Sequence, residues 1–206
     1  PNSNSIWVTN AIDQFVLQKL NDHDLSPSRI ASPEKLLRRV YFDITGLAPS
    51  SDVVKKFIDD PSEEHYQSIV DALLASPQYG ERWARFWLDL VRYAESDGYN
   101  SDSYRSGAWH YRDYVIKAFQ NDKPYDQFIQ EQLAGDELPD RNGDAVIATG
   151  FHRLGTWDDE PADRDLAKYD YLDDILRTST ETFLGLTVGC ARCHDHKIDP
   201  IPTRDY

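Results

Sequence analysis

No methionine occurs among the 206 residues, and only two cysteines do. The first absence excludes a thioether ligand from this chain to any metal. The two cysteines, Cys190 and Cys193, stand in one motif, so the chain's thiol chemistry is confined to one place. Positive charge is also scarce: 22 Lys and Arg face 36 Asp and Glu, for a formal net charge of −14. Such a chain repels nucleic acid, and that function class is set aside. A solvated acidic surface, a cationic partner and bound calcium are the readings the acidity leaves open.

Long apolar runs are missing as well. No stretch approaches the roughly 20 residues of a membrane span. No export signal is visible; the chain opens Pro1-Asn2-Ser3-Asn4-Ser5, as expected of a module within a longer polypeptide. What is present is globular in character: 40% hydrophobic residues, with 5 Trp, 12 Tyr and 8 Phe. The expected organisation is a single helical module over 1–206, with a possible internal break at the Gly/Asp/Pro-rich stretch 135–143.

The apolar period is helical almost throughout. Val8, Ile12, Phe15 and Val16 form a first stripe. Ser32-Pro33 opens a second helix, whose buried face is Leu36, Leu37, Val40, Tyr41 and Ile44. Val53, Phe57 and Ile58 mark a third, and Tyr66, Ile69, Val70, Leu73 and Leu74 a fourth. Ser76-Pro77 begins a fifth, predicted to bury Tyr79, Trp83, Phe86, Trp87 and Leu90. A polar loop covers 95–107, and helical pattern returns over 109–119 and 125–133. A short helix passes Val146 and Ile147, and a second polar segment covers 155–164. The last long helix is predicted to turn Tyr169, Leu172, Ile175, Leu176, Phe183 and Leu186 inward and to end at Gly189. No strand ladder is expected: the fold class is all-α, an irregular multi-helix domain with long polar loops.

Cys190-Ala191-Arg192-Cys193-His194 is C-x-x-C-H, the spacing that attaches a c-type haem. Two thiols hold the porphyrin and the adjacent His supplies an axial nitrogen to the iron. Without methionine, His/Met ligation from within this chain is excluded. His196 lies too close to His194 to reach the opposite face of the ring. His110 and His152 are the distal candidates, with His23 and His65 behind them, and an open axial position is the alternative. Arg192 and Lys197 flank the motif as candidate contacts for the haem propionates. Three other readings of the same residues stay open: a disulfide, a redox dithiol, and a zinc site completed by His194 and His196. Because c-type attachment is completed outside the bacterial cytoplasm, the motif predicts a periplasmic or exported protein.

Beyond this motif, long stretches of the chain are distinctive. They include Leu36-Leu37-Arg38-Arg39-Val40-Tyr41-Phe42-Asp43-Ile44-Thr45-Gly46-Leu47 and Ser76-Pro77-Gln78-Tyr79-Gly80-Glu81-Arg82-Trp83-Ala84. They continue with Trp87-Leu88-Asp89-Leu90-Val91-Arg92-Tyr93-Ala94-Glu95-Ser96 and with Phe183-Leu184-Gly185-Leu186-Thr187-Val188-Gly189 running into the cysteine motif. Through them the chain resembles the planctomycete cytochrome-associated domain family of unknown function. The resemblance implies an exported bacterial protein, haem bound through Cys190, Cys193 and His194, and two neighbours in the same polypeptide: a cytochrome c module and a C-terminal domain. His110 and His152 lie where that family often carries other residues.

Secondary signals are Asp97, Asn100 and Asp102 in the first polar loop, and Asp158, Asp159, Glu160, Asp163 and Asp165 in the second. Either set offers oxygen donors to calcium or simply makes turns. Trp109 and Trp157 flank these loops. The expected function is a monohaem c-type domain for periplasmic electron transfer within a larger redox protein, exchanging electrons with partner proteins or modules. The alternatives are a haem oxidoreductase with an open axial position, its pocket walled by 95–107 and 155–165, and a non-redox helical binding domain with a structural zinc.

Overall fold

The computed structural model describes residues 7–206, so the opening segment Pro1-Asn2-Ser3-Asn4-Ser5 lies outside the described residues. Among the described residues there are nine α-helices and no strand; a lone bridge pairs Ser96 with Tyr104. The helices are α1 (Ala11–Asp22), α2 (Pro33–Thr45), α3 (Ser51–Asp59), α4 (Glu63–Leu74) and α5 (Pro77–Leu90). They continue as α6 (Ala108–Gln120), α7 (Tyr125–Ala134), α8 (Gly143–Ala148) and α9 (Arg164–Leu184). Short 3-10 turns follow α8 and α9, at Thr149–Arg153 and Val188–Arg192.

The helix starts are written in the local sequence. Asn10 and Asp13 form a reciprocal capping box on α1, and Ser50, Ser62, Asn142 and Asp163 accept backbone N–H groups at the heads of α3, α4, α8 and α9. Pro33 and Pro77 occupy the first helical position of α2 and α5, where a missing N–H costs nothing. Ser32 and Ser76 hold the cap positions there but make no side-chain cap bond.

Two apolar clusters form. Leu37, Val40, Phe57 and Leu73 bring α2, α3 and α4 together on the predicted faces, except that Ile58 and Leu74 at the edges of those faces are exposed. The larger cluster joins α5, α6, α7, α8 and the following 3-10 turn around Trp87, Tyr111, Val115, Phe128 and Phe151, with Phe183 of α9 packed against it. The stretch 135–143 runs between α7 and α8, which both contribute to this cluster.

Three predicted faces differ from the observed ones. In α1, Ile12 (73% exposed), Phe15 and Val16 point outward and only Leu17 is buried, because α1 lies outside both clusters. In α5, Trp83, Phe86 and Leu90 are exposed, and the buried line is Gly80, Ala84 and Trp87. Small residues on that line let the α6 backbone come close, so packing overrides side-chain size. The displaced aromatics pack on each other and on Arg82, whose guanidinium lies 4.7 Å from the Phe86 ring. In α9, Tyr169, Leu172 and Leu176 are exposed, and Asp173 and Thr178 are the buried residues.

A polar network crosses the larger cluster. Glu131, 2% exposed, accepts hydrogen bonds from the Lys123 ammonium, the Tyr114 hydroxyl and, at 2.8 Å, the Gln127 amide. Burial alone would raise its carboxyl pKa; the hydrogen bonds from Lys123, Tyr114 and Gln127 and the lysine charge outweigh it, and the net shift is downward from 4.5. A depressed folded pKa makes the ionised form stabilising. That stabilisation is complete above pH 4.5 and is lost as pH falls through the lower folded value. Glu131→Ala, which strands the lysine, is expected to cost about 3 kcal/mol in urea unfolding at pH 7. The stability gap between wild type and Glu131→Gln should narrow as the pH is lowered below 4.5.

Candidate functional site

The path of the chain after α9 builds the site. The helix ends at Leu184, earlier than the predicted Gly189, because Gly185 takes a left-handed conformation (φ 65°) that side chains avoid. The Gly185 N–H bonds to the Glu181 carbonyl and the Leu186 N–H to that of Thr180, closing the helix end and reversing the chain. The returning strand of chain lies along the helix it has just left. Gly189 passes so near Arg177 that a Cβ there would stand 2.6 Å from its side chain. Arg192 reaches further back: its Nη1 donates to Asp173 at 3.0 Å and its Nη2 to Asp170.

The pentapeptide occupies the end of the 3-10 turn Val188–Arg192, with Cys193 as its cap. Cys190 lies in the turn and the Cys193 N–H closes it on the Cys190 carbonyl at 3.4 Å. Both are free thiols and exposed, while Ala191, between them, is fully buried. The turn therefore sorts its residues: a methyl inward, a guanidinium onto α9, two sulfurs outward.

His194 is exposed, and its Nδ1 lies 2.8 Å from the Asp195 carbonyl oxygen. That oxygen only accepts, so Nδ1 carries the proton and Nε2 presents a lone pair. A ligating histidine ordinarily has this arrangement, with the far nitrogen fixed by a backbone carbonyl. His196 is held differently. Its Nδ1 receives the Asp199 N–H at 2.8 Å and its Nε2 faces the Thr187 hydroxyl at 3.1 Å. Both ring nitrogens are engaged, and the ring serves as the hub of the turn after the motif rather than as a ligand. Among the described residues no three His, Cys, Asp or Glu side chains converge on a metal-sized space. Two outward thiols and one orientated imidazole fit the donor set of a c-type haem.

The other predicted residues lie as follows. Arg192 is engaged by its two carboxylates, and this pairing, first with Asp170 and then with Asp173, raises the guanidinium pKa further. Lys197 is exposed. His110 is exposed on α6 and stacks on Trp109, ring centroids 3.7 Å apart. His152 places Nε2 3.1 Å from the Leu133 carbonyl. His65 bonds the Asp60 carbonyl, and His23 follows the end of α1.

The two polar loops are brought together by Arg105. It donates to Asp97 at 2.7 Å and to the carbonyls of Arg153 at 3.0 Å, Leu154 at 3.2 Å and Gly155 at 2.6 Å. Asp102 accepts the Gly98 N–H at 2.8 Å, Ser101 donates to Asp159 at 3.0 Å, and Asp158 accepts the Glu160 N–H at 3.1 Å. Asp163 caps α9. These acids act as turn and cap acceptors in this structure. Trp157 lies under the Arg153 guanidinium, 4.4 Å from its ring centre, and edge-on to Tyr171.

Sequence reasoning missed Asp170, Asp173, Asp174, Arg92 and Tyr206. Arg92, at the end of α5, donates to both Asp174 oxygens (Nε at 3.0 and 2.8 Å) and so pins α9 to the core. Tyr206 donates to Asp173; burial first, then this carboxylate, pushes its hydroxyl pKa up to about 12. The only local signal was two acids spaced i, i+3 on one helix. Arg92→Ala should lower stability by about 2 kcal/mol, between the values for exposed and buried pairs, as read by urea unfolding. In the metal-free, haem-free polypeptide both thiols should react with a disulfide reagent without denaturant.

No curated protein and no solved structure matches the chain. The PSCyt2 family, described as a protein of unknown function (DUF1549), matches residues 11–206. The chain thus belongs to the PSCyt2 family, the planctomycete cytochrome-associated domains of unknown function.

Proposed function

We propose that this chain is a monohaem c-type domain that relays electrons inside a larger exported redox protein. The observation that carries the reading is the surface of the turn after α9: two exposed thiols, three residues apart, beside an imidazole whose Nδ1 is held by the Asp195 carbonyl. Cys190 and Cys193 would hold the ring, His194 would bind iron, and the exposed Lys197 is placed in sequence to meet a propionate. A haem held in this way supplies an iron that exchanges one electron at the protein surface. The chain's own part is orientation. Asp195 fixes the His194 ring through its carbonyl, and its carboxylate accepts the Thr203 N–H at 2.8 Å, which ties the ligand's neighbour to the C-terminal turn. Membership of a cytochrome-associated family supports a place beside a neighbouring cytochrome module and a C-terminal domain in an exported polypeptide.

A zinc reading loses support from His196, whose nitrogens are both occupied. The test is expression in a host that matures c-type cytochromes. A haem stain that survives denaturation and a Soret band that shifts on reduction are expected. Cys190→Ser with Cys193→Ser should abolish the stain, and His194→Ala should keep the stain but alter the Soret position. A colourless protein containing zinc would overturn the proposal. A spectrum that responds to carbon monoxide or cyanide would move the function from electron relay to catalysis at an open axial position.

A further inference from the structure

We propose that Asp173 is the positioning residue of the cysteine motif, one carboxylate that ties down both ends of the segment carrying His194. The inference rests on the haem reading above. The pentapeptide has two attachments to the rest of the fold: the buried Ala191 methyl and the Arg192 guanidinium. A buried methyl sets depth but leaves rotation about the turn free. A planar guanidinium held by two carboxylates on one helix face removes that rotation.

The two carboxylates are not equivalent. The Asp170 side chain is 51% exposed and that of Asp173 only 9%, so the Asp173 pair is the one shielded from water. Asp173 also has a second partner. While Oδ2 takes the Arg192 Nη1, Oδ1 takes the Tyr206 hydroxyl. The chain thus leaves this carboxylate at Arg192 and returns to it at Tyr206. The intervening loop is braced internally: the His196 N–H bonds to the Ile201 carbonyl at 2.9 Å and the Ile201 N–H to that of Asp199 at 2.8 Å. His194 lies within this closed loop.

The test compares four variants of the full chain: Asp173→Asn, Asp170→Asn, Tyr206→Phe and Arg192→Lys. Asp173→Asn and Asp170→Asn each remove one of the two carboxylates on Arg192, so a motif held by either carboxylate alike predicts equal effects. The first readout is hydrogen exchange over 188–206 in the haem-free protein, followed by mass spectrometry, because the exposed thiols are open to reagents whether or not the motif is held. Losing a hydrogen bond to a buried charge should speed exchange over 188–206 about tenfold in Asp173→Asn, with less than about twofold in Asp170→Asn. Tyr206→Phe and Arg192→Lys leave the carboxylate in place and should speed exchange over 188–206 without lowering protection elsewhere. The second readout is the haem-loaded protein, in which Asp173→Asn should lower haem per chain and shift the midpoint potential and ferric electron-resonance signal beyond what Asp170→Asn does.

Equal behaviour of the two Asn variants would overturn the proposal. So would unchanged exchange in both Tyr206→Phe and Arg192→Lys, including the case in which Asp173→Asn fails to fold. If the wild-type chain takes up no haem, the electron-relay reading fails while the haem-free exchange ratio still decides the role of Asp173.

Discussion

Adjacent residues on an α-helix point about 100° apart. In α9 this places two neighbouring carboxylates on two different jobs. Asp174 faces Arg92 and holds the helix on the larger apolar cluster; Asp173 faces Arg192 and holds the cysteine motif on the helix. The C-terminal segment is therefore referenced to the core through a single turn of helix. Apolar packing supports the same arrangement at Phe183, which meets Trp87 and Phe151 with ring centroids 5.8 and 5.5 Å apart, and at Tyr171, which meets Trp157 edge-on and donates its hydroxyl to the His152 carbonyl. Ion pairs with directional donors hold the Arg192 side chain of the motif on α9, and a backbone carbonyl holds the His194 ring.

The strongly acidic composition takes on a different meaning in that light. Many of the acids act locally: Asp97 on Arg105, Asp102 on a backbone N–H, Asp163 on a helix head, Asp170 and Asp173 on Arg192. Arginine is the recurrent partner, because its fork meets two acceptors in one plane. Arg105, together with the Ser101–Asp159 bond, joins two loops separated in sequence by three helices and a 3-10 turn, so the polar segments flagged by composition form one structured edge rather than independent tails.

Much of this was legible from residue order. The α2–α4 cluster follows its periodicity, and the capping residues mark helix starts to within a residue or so. The cysteine motif was legible from chemistry alone. The faces of α1, α5 and α9 were not: large apolar residues of each are exposed, while α1 buries Leu17, α5 buries Gly80 and Ala84 beside Trp87, and α9 buries Asp173 and Thr178. Hydrophobic periodicity assumes that the largest apolar face is the buried one. Trp83 and Phe86 break that assumption because Gly80 and Ala84 permit a closer helix approach. The partners of Arg192 were illegible because they lie across a chain reversal. Residue order shows a basic side chain beside a haem motif and suggests propionates; only the fold shows two carboxylates within its reach. The role of His196 was invisible for the same reason, since its partners are backbone groups of a turn.

The reversal at Gly185 makes chain length itself a constraint. Asp173 and Arg192 are 19 residues apart in sequence yet in contact, and the connection consists of helix, one left-handed residue and a 3-10 turn with no slack loop. Inserting or deleting one residue there would rotate the acceptor by about 100° and move the donor along the axis by about 1.5 Å. The intervening stretch behaves as a ruler. Relatives of this chain should vary in length across 135–143 while keeping the count from 173 to 192 unchanged.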